Sequence, residues 1–111
     1  MLNAMAELAS EYWKLLKSFE RAAVAAPDGA RTRLLAQARY ASARLESILD
    51  SVGMRVVALD GLPFEINMPA VAINADDFAG DERVVVERTI EPAIVSDMTV
   101  IVTGKVYLTR A

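Results

Sequence analysis

The chain has 111 residues, the size of one domain with a single hydrophobic core. Hydrophobic residues make up 54% and charged residues 24%, which is typical of a globular chain rather than a disordered one. The net charge of −3 does not favour nucleic acid or an anionic membrane surface as a partner. The absence of cysteine and histidine excludes disulfides, Ser–His and Cys–His nucleophiles and most zinc sites.

The first residues, MLNAMAELASEYW, do not have the pattern of a targeting segment. They lack a basic stretch followed by an apolar core, and no run in the chain approaches the ~20 apolar residues of a membrane span. We therefore expect no signal peptide, no membrane partner and a cytoplasmic location.

Residues 2–26 predict an amphipathic helix. Its apolar side chains recur at alternating spacings of three and four, a heptad stripe formed by Met5, Leu8, Tyr12, Leu15, Phe19, Ala22 and Ala26. Pro27 ends the helix because its ring clashes with a preceding carbonyl group. Asp28 is a candidate N-cap for the next helix.

Residues 30–52 predict a second helix, with Gly53 as its stop signal. The same spacing recurs in Leu34, Ala38, Ala41, Leu45, Ile48 and Val52. A connection of about three residues makes the two helices antiparallel neighbours. One hairpin alone leaves an apolar flank exposed, and two hairpins would bury it in a four-helix bundle. We therefore expect a homodimer whose contacts include Leu8, Tyr12, Leu15, Phe19, Leu45 and Ile48.

The remainder of the chain predicts strands. MRVVALDG (54–61) indicates a strand ending in an Asp-Gly turn, and 83–90 and 98–108 are rich in β-branched residues. Gly104 is expected at a bulge or bend, and NADDFAGDE (74–82) and EPAIVSD (91–97) are expected to be loops. The prolines of GLPFEINMPAVAI (61–73) predict an extended junction.

The predicted fold class is therefore α+β, with a helical hairpin followed by a small β-rich domain. Residues 1–53 are expected to form the hairpin used for dimerisation, and residues 54–111 are expected to form a β module that binds a partner.

The polar clusters give weak signals for chemistry. The acidic residues Asp76, Asp77, Asp81 and Glu82 do not have the spacing of a calcium loop, so a solvated turn is the preferred interpretation and no metal is expected. Four arginines of the second helix are interpreted as a solvated face. A small enzyme using Glu87, Glu91 or Asp97 is the least favoured hypothesis, and no catalytic residue or cofactor is expected.

Several positions carry a resemblance to a known family. Gly53 and MRVVA (54–58) match a helix-ending glycine followed by a short strand, and Phe64 and Glu65 match the start of the next loop. At the family's spacing Ile101, Val106 and Thr109 match apolar and strand positions, whereas Pro69 and Val102 stand where histidine and arginine are usual. The order of elements and these positions resemble the GrpE family of nucleotide exchange factors for Hsp70-type chaperones.

The resemblance implies a non-enzymatic co-chaperone that dimerises through its helices. Its β module would bind the nucleotide-binding domain of an Hsp70-type chaperone and promote ADP release. The alternative is a structural or adaptor homodimer with another protein client and no exchange activity. The expected partner-binding residues are Asp77, Phe78, Arg83, Arg88 and Lys105. For Phe78, both an exposed anchor and a place in the β core remain open.

Overall fold

The computed structural model describes residues 2–97 and 99–111. Helices α1 (Leu2–Val24) and α2 (Asp28–Asp50) form an antiparallel hairpin. The β module that follows contains β1 (Met54–Val57), β2 (Ala70–Ala72), a short 3-10 helix (Ala75–Asp77), β3 (Val84–Glu91), β4 (Ala93–Ser96), β5 (Thr99–Val102) and β6 (Gly104–Arg110). The predicted α+β order of a helical hairpin followed by a small β region is confirmed.

The helix ends lie within two residues of the predicted ones. Pro27 rather than Asp28 is the residue before α2, so the predicted N-cap is wrong. Asp28 is instead the first helical residue, and its carboxylate lies 3.3 Å from the Arg31 guanidinium one turn later. Gly53 ends the turn after α2 with a φ of 75°, a left-handed conformation that favours glycine.

A first sheet, with strand order β1-β4-β5, packs on the hairpin. Both pairings are antiparallel. The shared core lies between the helices and this sheet and contains Ala6, Ala9, Trp13, Leu45, Leu49, Met54 and Ile94. The hairpin and the β module are therefore joined by apolar packing as well as by the chain connection.

A second sheet, with strand order β2-β6-β3, encloses its own core. Strand β2 runs parallel to β6, and β3 runs antiparallel to it. The half-buried residues packed around this core include Phe64, Met68 and Phe78. The core itself is formed by four buried side chains, Leu59, Val86, Val106 and Leu108.

The proline-containing stretch 61–73 completes the second sheet. Gly61 N–H donates to the Val86 carbonyl and Val86 N–H to the Leu62 carbonyl, each at 2.8 Å. Residues 61–64 thus cover the outer edge of β3. The chain then crosses to the opposite edge, where it forms β2. The predicted extended junction is only partly extended, because residues 66–69 form a turn and bend, and residues 70–72 contribute a strand that the sequence did not predict.

Strands β3 to β6 form one long hairpin that bends from the second sheet into the first. β3 continues into β4 through Pro92, and β5 continues into β6 through Thr103. At the bend a Cβ atom on Gly104 would lie 2.9 Å from the Glu91 carbonyl oxygen. The expected bend at Gly104 is confirmed, and close backbone approach is its cause.

Two predictions about the strands are wrong. EPAIVSD was expected to be a loop, but Glu91 ends β3 and residues 93–96 form β4. The segment 98–108 was expected to be one strand, but it is divided between β5 and β6 by Thr103. Its first residue, Met98, lies outside the described residues. The bend explains both errors, because Pro92 occupies a corner where no ladder hydrogen bond is required.

Candidate partner-binding surfaces

Leu8 and Leu15 of the predicted heptad stripe of α1 face away from the core of their own chain, whereas Met5 of the same stripe packs against it. Leu8 is 70% exposed and Leu15 is 73% exposed, whereas the neighbouring flank of Ala6, Ala9 and Trp13 is buried. The first sheet occupies that flank, because small alanine side chains allow it to approach the helix closely. The structure therefore leaves an apolar hairpin face, formed by Leu8, Tyr12, Leu15 and Phe19, on the surface.

A groove between α1 and α2 extends the apolar hairpin face. Its volume is about 300 Å³, and Leu15, Phe19 and Ala38 are among its lining residues. The Tyr12 hydroxyl donates to the Ala41 carbonyl at 3.1 Å and so orients its ring across the two helices. The groove is lined mainly by apolar side chains, as is expected of a surface that packs against a second hairpin.

The two dimerisation residues expected from α2 have different environments. Ile48 is 43% exposed, so its side chain is accessible beside the hairpin. Leu45 is only 7% exposed and packs in the core that α1, α2 and the first sheet share. Leu45 is therefore a core residue of its own chain and is not on the surface.

Two of the five expected partner-binding residues lie on the same face of the second sheet. Arg88 of β3 pairs with Tyr107 of β6, and its guanidinium lies 5.1 Å from the centroid of the Tyr107 ring. Lys105 lies two residues before Tyr107 and therefore on the same face, with its ammonium 3.8 Å from Glu91. Both side chains are exposed, so this face carries accessible cations.

The other three lie near the opposite end of β3. Asp77 is exposed in the 3-10 helix, and Arg83 is exposed just before β3. Phe78 is half-buried against the core of the second sheet, and the Arg110 guanidinium lies 5.4 Å from its ring centroid. Of the two interpretations of Phe78, the structure supports the place in the β core.

The acidic loop is held by its last carboxylate. Glu82 accepts a hydrogen bond from the Ala79 backbone N–H at 2.9 Å and forms a salt bridge of 2.8 Å with Arg110. The backbone hydrogen bond, together with the bond and charge of Arg110, lowers the pKa of Glu82 from its ordinary value of 4.5. Among the described residues, no group of three or more acidic side chains is placed to hold a metal ion.

The carboxylates of the enzyme hypothesis lie in different surroundings. Glu91 accepts from the Lys14 ammonium at 3.2 Å and also faces Lys105. Glu87 is an exposed residue within β3, and Asp97 lies in the turn between β4 and β5 with a φ of 47°. Because Glu91 is paired with cations and Asp97 belongs to the other sheet, the structure does not bring the three together as a catalytic group.

Sequence reasoning missed several exposed apolar side chains of the β module. Ile66 is fully exposed in the loop between residues 64 and 69, and Leu62, Val71 and Ile73 are also largely exposed. The signal was present, since prolines at 63 and 69 enclose apolar residues in a segment too short to bury them all. These side chains give the β module an exposed apolar surface.

Comparisons with known proteins do not assign the chain to a family. No protein-family model and no curated protein matches it. Among the described residues, no helix is both long enough and apolar enough to cross a membrane.

Proposed function

We propose that the chain is a non-enzymatic, GrpE-like co-chaperone that binds the nucleotide-binding domain of an Hsp70-type chaperone and promotes ADP release. The mechanism is differential binding. The β module would bind an open nucleotide-binding domain more tightly than a closed one, and this difference in affinity shifts the chaperone toward nucleotide release.

The observation that carries this proposal is a helical hairpin packed directly on a β module that exposes cations and apolar side chains. Arg88 and Lys105 lie on one face of the second sheet, and Ile66 projects from the adjoining loop. A surface of mixed charged and apolar groups is suited to binding another protein. The apolar hairpin face supports the second part of the proposal, a homodimer formed through a four-helix bundle.

An adaptor homodimer without exchange activity is the second candidate. Val102, at the position where the GrpE family has an arginine, is half-buried against the core of the first sheet. Pro69, at the position of the usual histidine, donates no hydrogen bond and its carbonyl accepts from Gly104 N–H at 2.9 Å. The two polar residues that the family resemblance leads us to expect are therefore replaced by groups that serve the fold.

Stopped-flow release of a fluorescent ADP analogue distinguishes the two candidates. The cognate Hsp70-type chaperone is loaded with the analogue and mixed with the chain and excess unlabelled nucleotide. An exchange factor accelerates the release in proportion to its concentration until the effect saturates. Chaperones that bind the chain without faster release would support the adaptor, and no effect on any cognate chaperone would end the exchange proposal.

Paired variants locate the contact. We expect the double variant Arg83→Ala, Lys105→Ala to weaken the acceleration, because it removes exposed cations at opposite ends of the second sheet. Arg55→Ala is the matched control, since Arg55 is an exposed cation on β1 of the first sheet. Equal loss in both variants would indicate a general charge effect rather than a contact on the second sheet.

A further inference from the structure

A cleft of about 680 Å³ lies between α1 and β3. Among the described residues, its lining includes four cations, Lys14, Lys17, Arg21 and Arg88, and one carboxylate, Asp60. Glu11, Glu20 and Glu91 pair with the two lysines, so among the described residues the cations of the cleft without a salt bridge are Arg21 and Arg88. A concave site lined by one sign of charge attracts ligands of the opposite sign.

The two lysines of the cleft are already paired. Lys14 contacts Glu11 on its own helix and Glu91 at the end of β3. The Lys17 ammonium lies 3.5 Å from Glu20 and 5.2 Å from the centroid of the Trp13 ring. Both lysines are therefore held by the protein itself and shape one wall of the cleft.

The two arginines of the cleft are not paired with carboxylates. No salt bridge of Arg21 or Arg88 occurs in the part of the chain that the structure describes. Arg21 donates to the Ser18 hydroxyl at 3.1 Å, and Arg88 stacks on Tyr107. These contacts orient each guanidinium but use few of its five N–H donors.

The single carboxylate of the cleft is directed to another partner. Asp60 Oδ1 accepts from the Thr89 backbone N–H at 3.1 Å and also from the Thr89 hydroxyl. The Thr89 hydroxyl in turn accepts from the Leu59 N–H at 3.0 Å. Asp60 thus holds the residues that follow β1 against Thr89 of β3. It forms no salt bridge with Arg21 or Arg88 among the described residues.

We propose that this cleft binds an oxyanion, the phosphate or carboxylate group of a ligand, between the guanidinium groups of Arg21 and Arg88. Planar guanidinium groups match such groups with two parallel N–H···O bonds each. The Ser18 hydroxyl beside Arg21 supplies a further donor. This binding does not require a chaperone, so it goes beyond the proposed exchange function and is tested independently of it.

The chain contains its own reporter for this test. Trp13 is the only tryptophan in the sequence and lines the cleft beneath the Lys17 ammonium. Pyrophosphate is titrated into the purified chain at constant ionic strength, with sodium chloride replaced as the ligand is added. We expect a saturable change in Trp13 emission, because an anion in the cleft alters the field at the indole ring.

Variants show whether the change comes from the cleft. Arg21→Gln and Arg88→Gln should each weaken pyrophosphate binding by at least about tenfold, the effect of losing one charge-assisted hydrogen bond. Arg55→Gln is the matched control and should leave the binding curve unchanged, since Arg55 lies on β1 outside this cleft. Because all three arginines are exposed, the variants should retain the wild-type circular dichroism spectrum.

A parallel titration with succinate distinguishes the two sources of the oxyanion. Binding of succinate with comparable affinity places carboxylates among the ligands, and binding of pyrophosphate alone restricts the site to phosphates. A linear emission change that sodium chloride reproduces would overturn the proposal. So would equal pyrophosphate affinity in the wild type, Arg21→Gln and Arg88→Gln.

Discussion

Gly104 lies where two backbone segments of the bent hairpin pass each other. A Cβ atom there would stand 2.9 Å from the Glu91 carbonyl oxygen and 3.0 Å from the Ala93 nitrogen. Both neighbours are backbone atoms at the corner between the sheets, so neither can move without shifting a strand. We expect Gly104→Ala to lower the free energy of unfolding by about 1–3 kcal/mol, the usual cost of overpacking. Urea denaturation followed by circular dichroism measures this change.

Gly80→Ala is the matched control for Gly104→Ala. A Cβ atom at Gly80 would have no heavy atom within 4 Å, and the residue is exposed in a loop. Its effect should therefore remain within about 0.5 kcal/mol. Equal denaturation midpoints for Gly104→Ala and Gly80→Ala would show that the corner can relax, contrary to the expected strain.

At the scale of elements, the helices could be predicted from the sequence because their signals are local. Pro27 and Gly53 mark the ends, and the apolar spacing between them has the helical period. Which side of α1 is buried could not be predicted in this way. Leu8 and Leu15 were expected in the dimer contact and are exposed in the single chain, whereas the flank with the smaller Ala6 and Ala9 is buried because the first sheet packs there.

The strands were harder to predict because their pairing is not local. β4 contains only four residues and follows Pro92, which is ordinarily a loop signal. Its strand conformation depends on β1 and β5 on either side. The expected partner-binding residues show the same limit. The sequence singled out Arg88 and Lys105, but it did not show that the register of β3 and β6 would place them on one face.

The apolar hairpin face leads to a prediction about oligomeric state. If this face forms a four-helix bundle with a second chain, the double variant Leu8→Glu, Leu15→Glu should be monomeric, because it places charges in the centre of the interface. Both positions are exposed in the single chain, so the variant should still fold. Light scattering coupled to size-exclusion chromatography at micromolar concentration measures the mass.

Ile66→Glu is the control for the dimer. Ile66 is fully exposed but lies in the β module, outside the apolar hairpin face. This variant should keep the mass of the wild type. A wild-type chain that elutes as a monodisperse monomer at micromolar concentration would refute dimerisation through the hairpin.

At the scale of the whole molecule, Lys14 connects the two parts of the fold by charge. Its ammonium contacts Glu11 within α1 and Glu91 at the end of β3, so it links the hairpin to the second sheet. The hydrogen bonds that the Lys14 ammonium donates to Glu11 and, next in size, to Glu91 raise the pKa of Lys14 above its ordinary value of 10.5. Burial opposes the increase but is a smaller effect.

A raised pKa in the folded state has a defined consequence for stability. The unfolded chain loses its Lys14 proton near pH 10.5, whereas the folded chain retains it to higher pH. The stabilising contribution of Lys14 is therefore complete below pH 10.5 and is lost as the pH rises through the folded-state pKa. The comparison of wild type with Lys14→Met isolates this contribution, because other groups that titrate in alkali are common to both chains.

We expect the difference in unfolding free energy between the wild type and Lys14→Met to be constant from about pH 7 to pH 9 and to decrease above pH 10.5. Urea denaturation at each pH measures it. A second measurement tests the link between the two parts of the fold, with Lys17→Met as its control because the Lys17 salt bridge with Glu20 lies within α1.

If Lys14 joins the two parts of the fold, hydrogen exchange at the end of β3 should increase in Lys14→Met and not in Lys17→Met. Equal exchange in both variants would mean that apolar packing alone holds the hairpin on the β module.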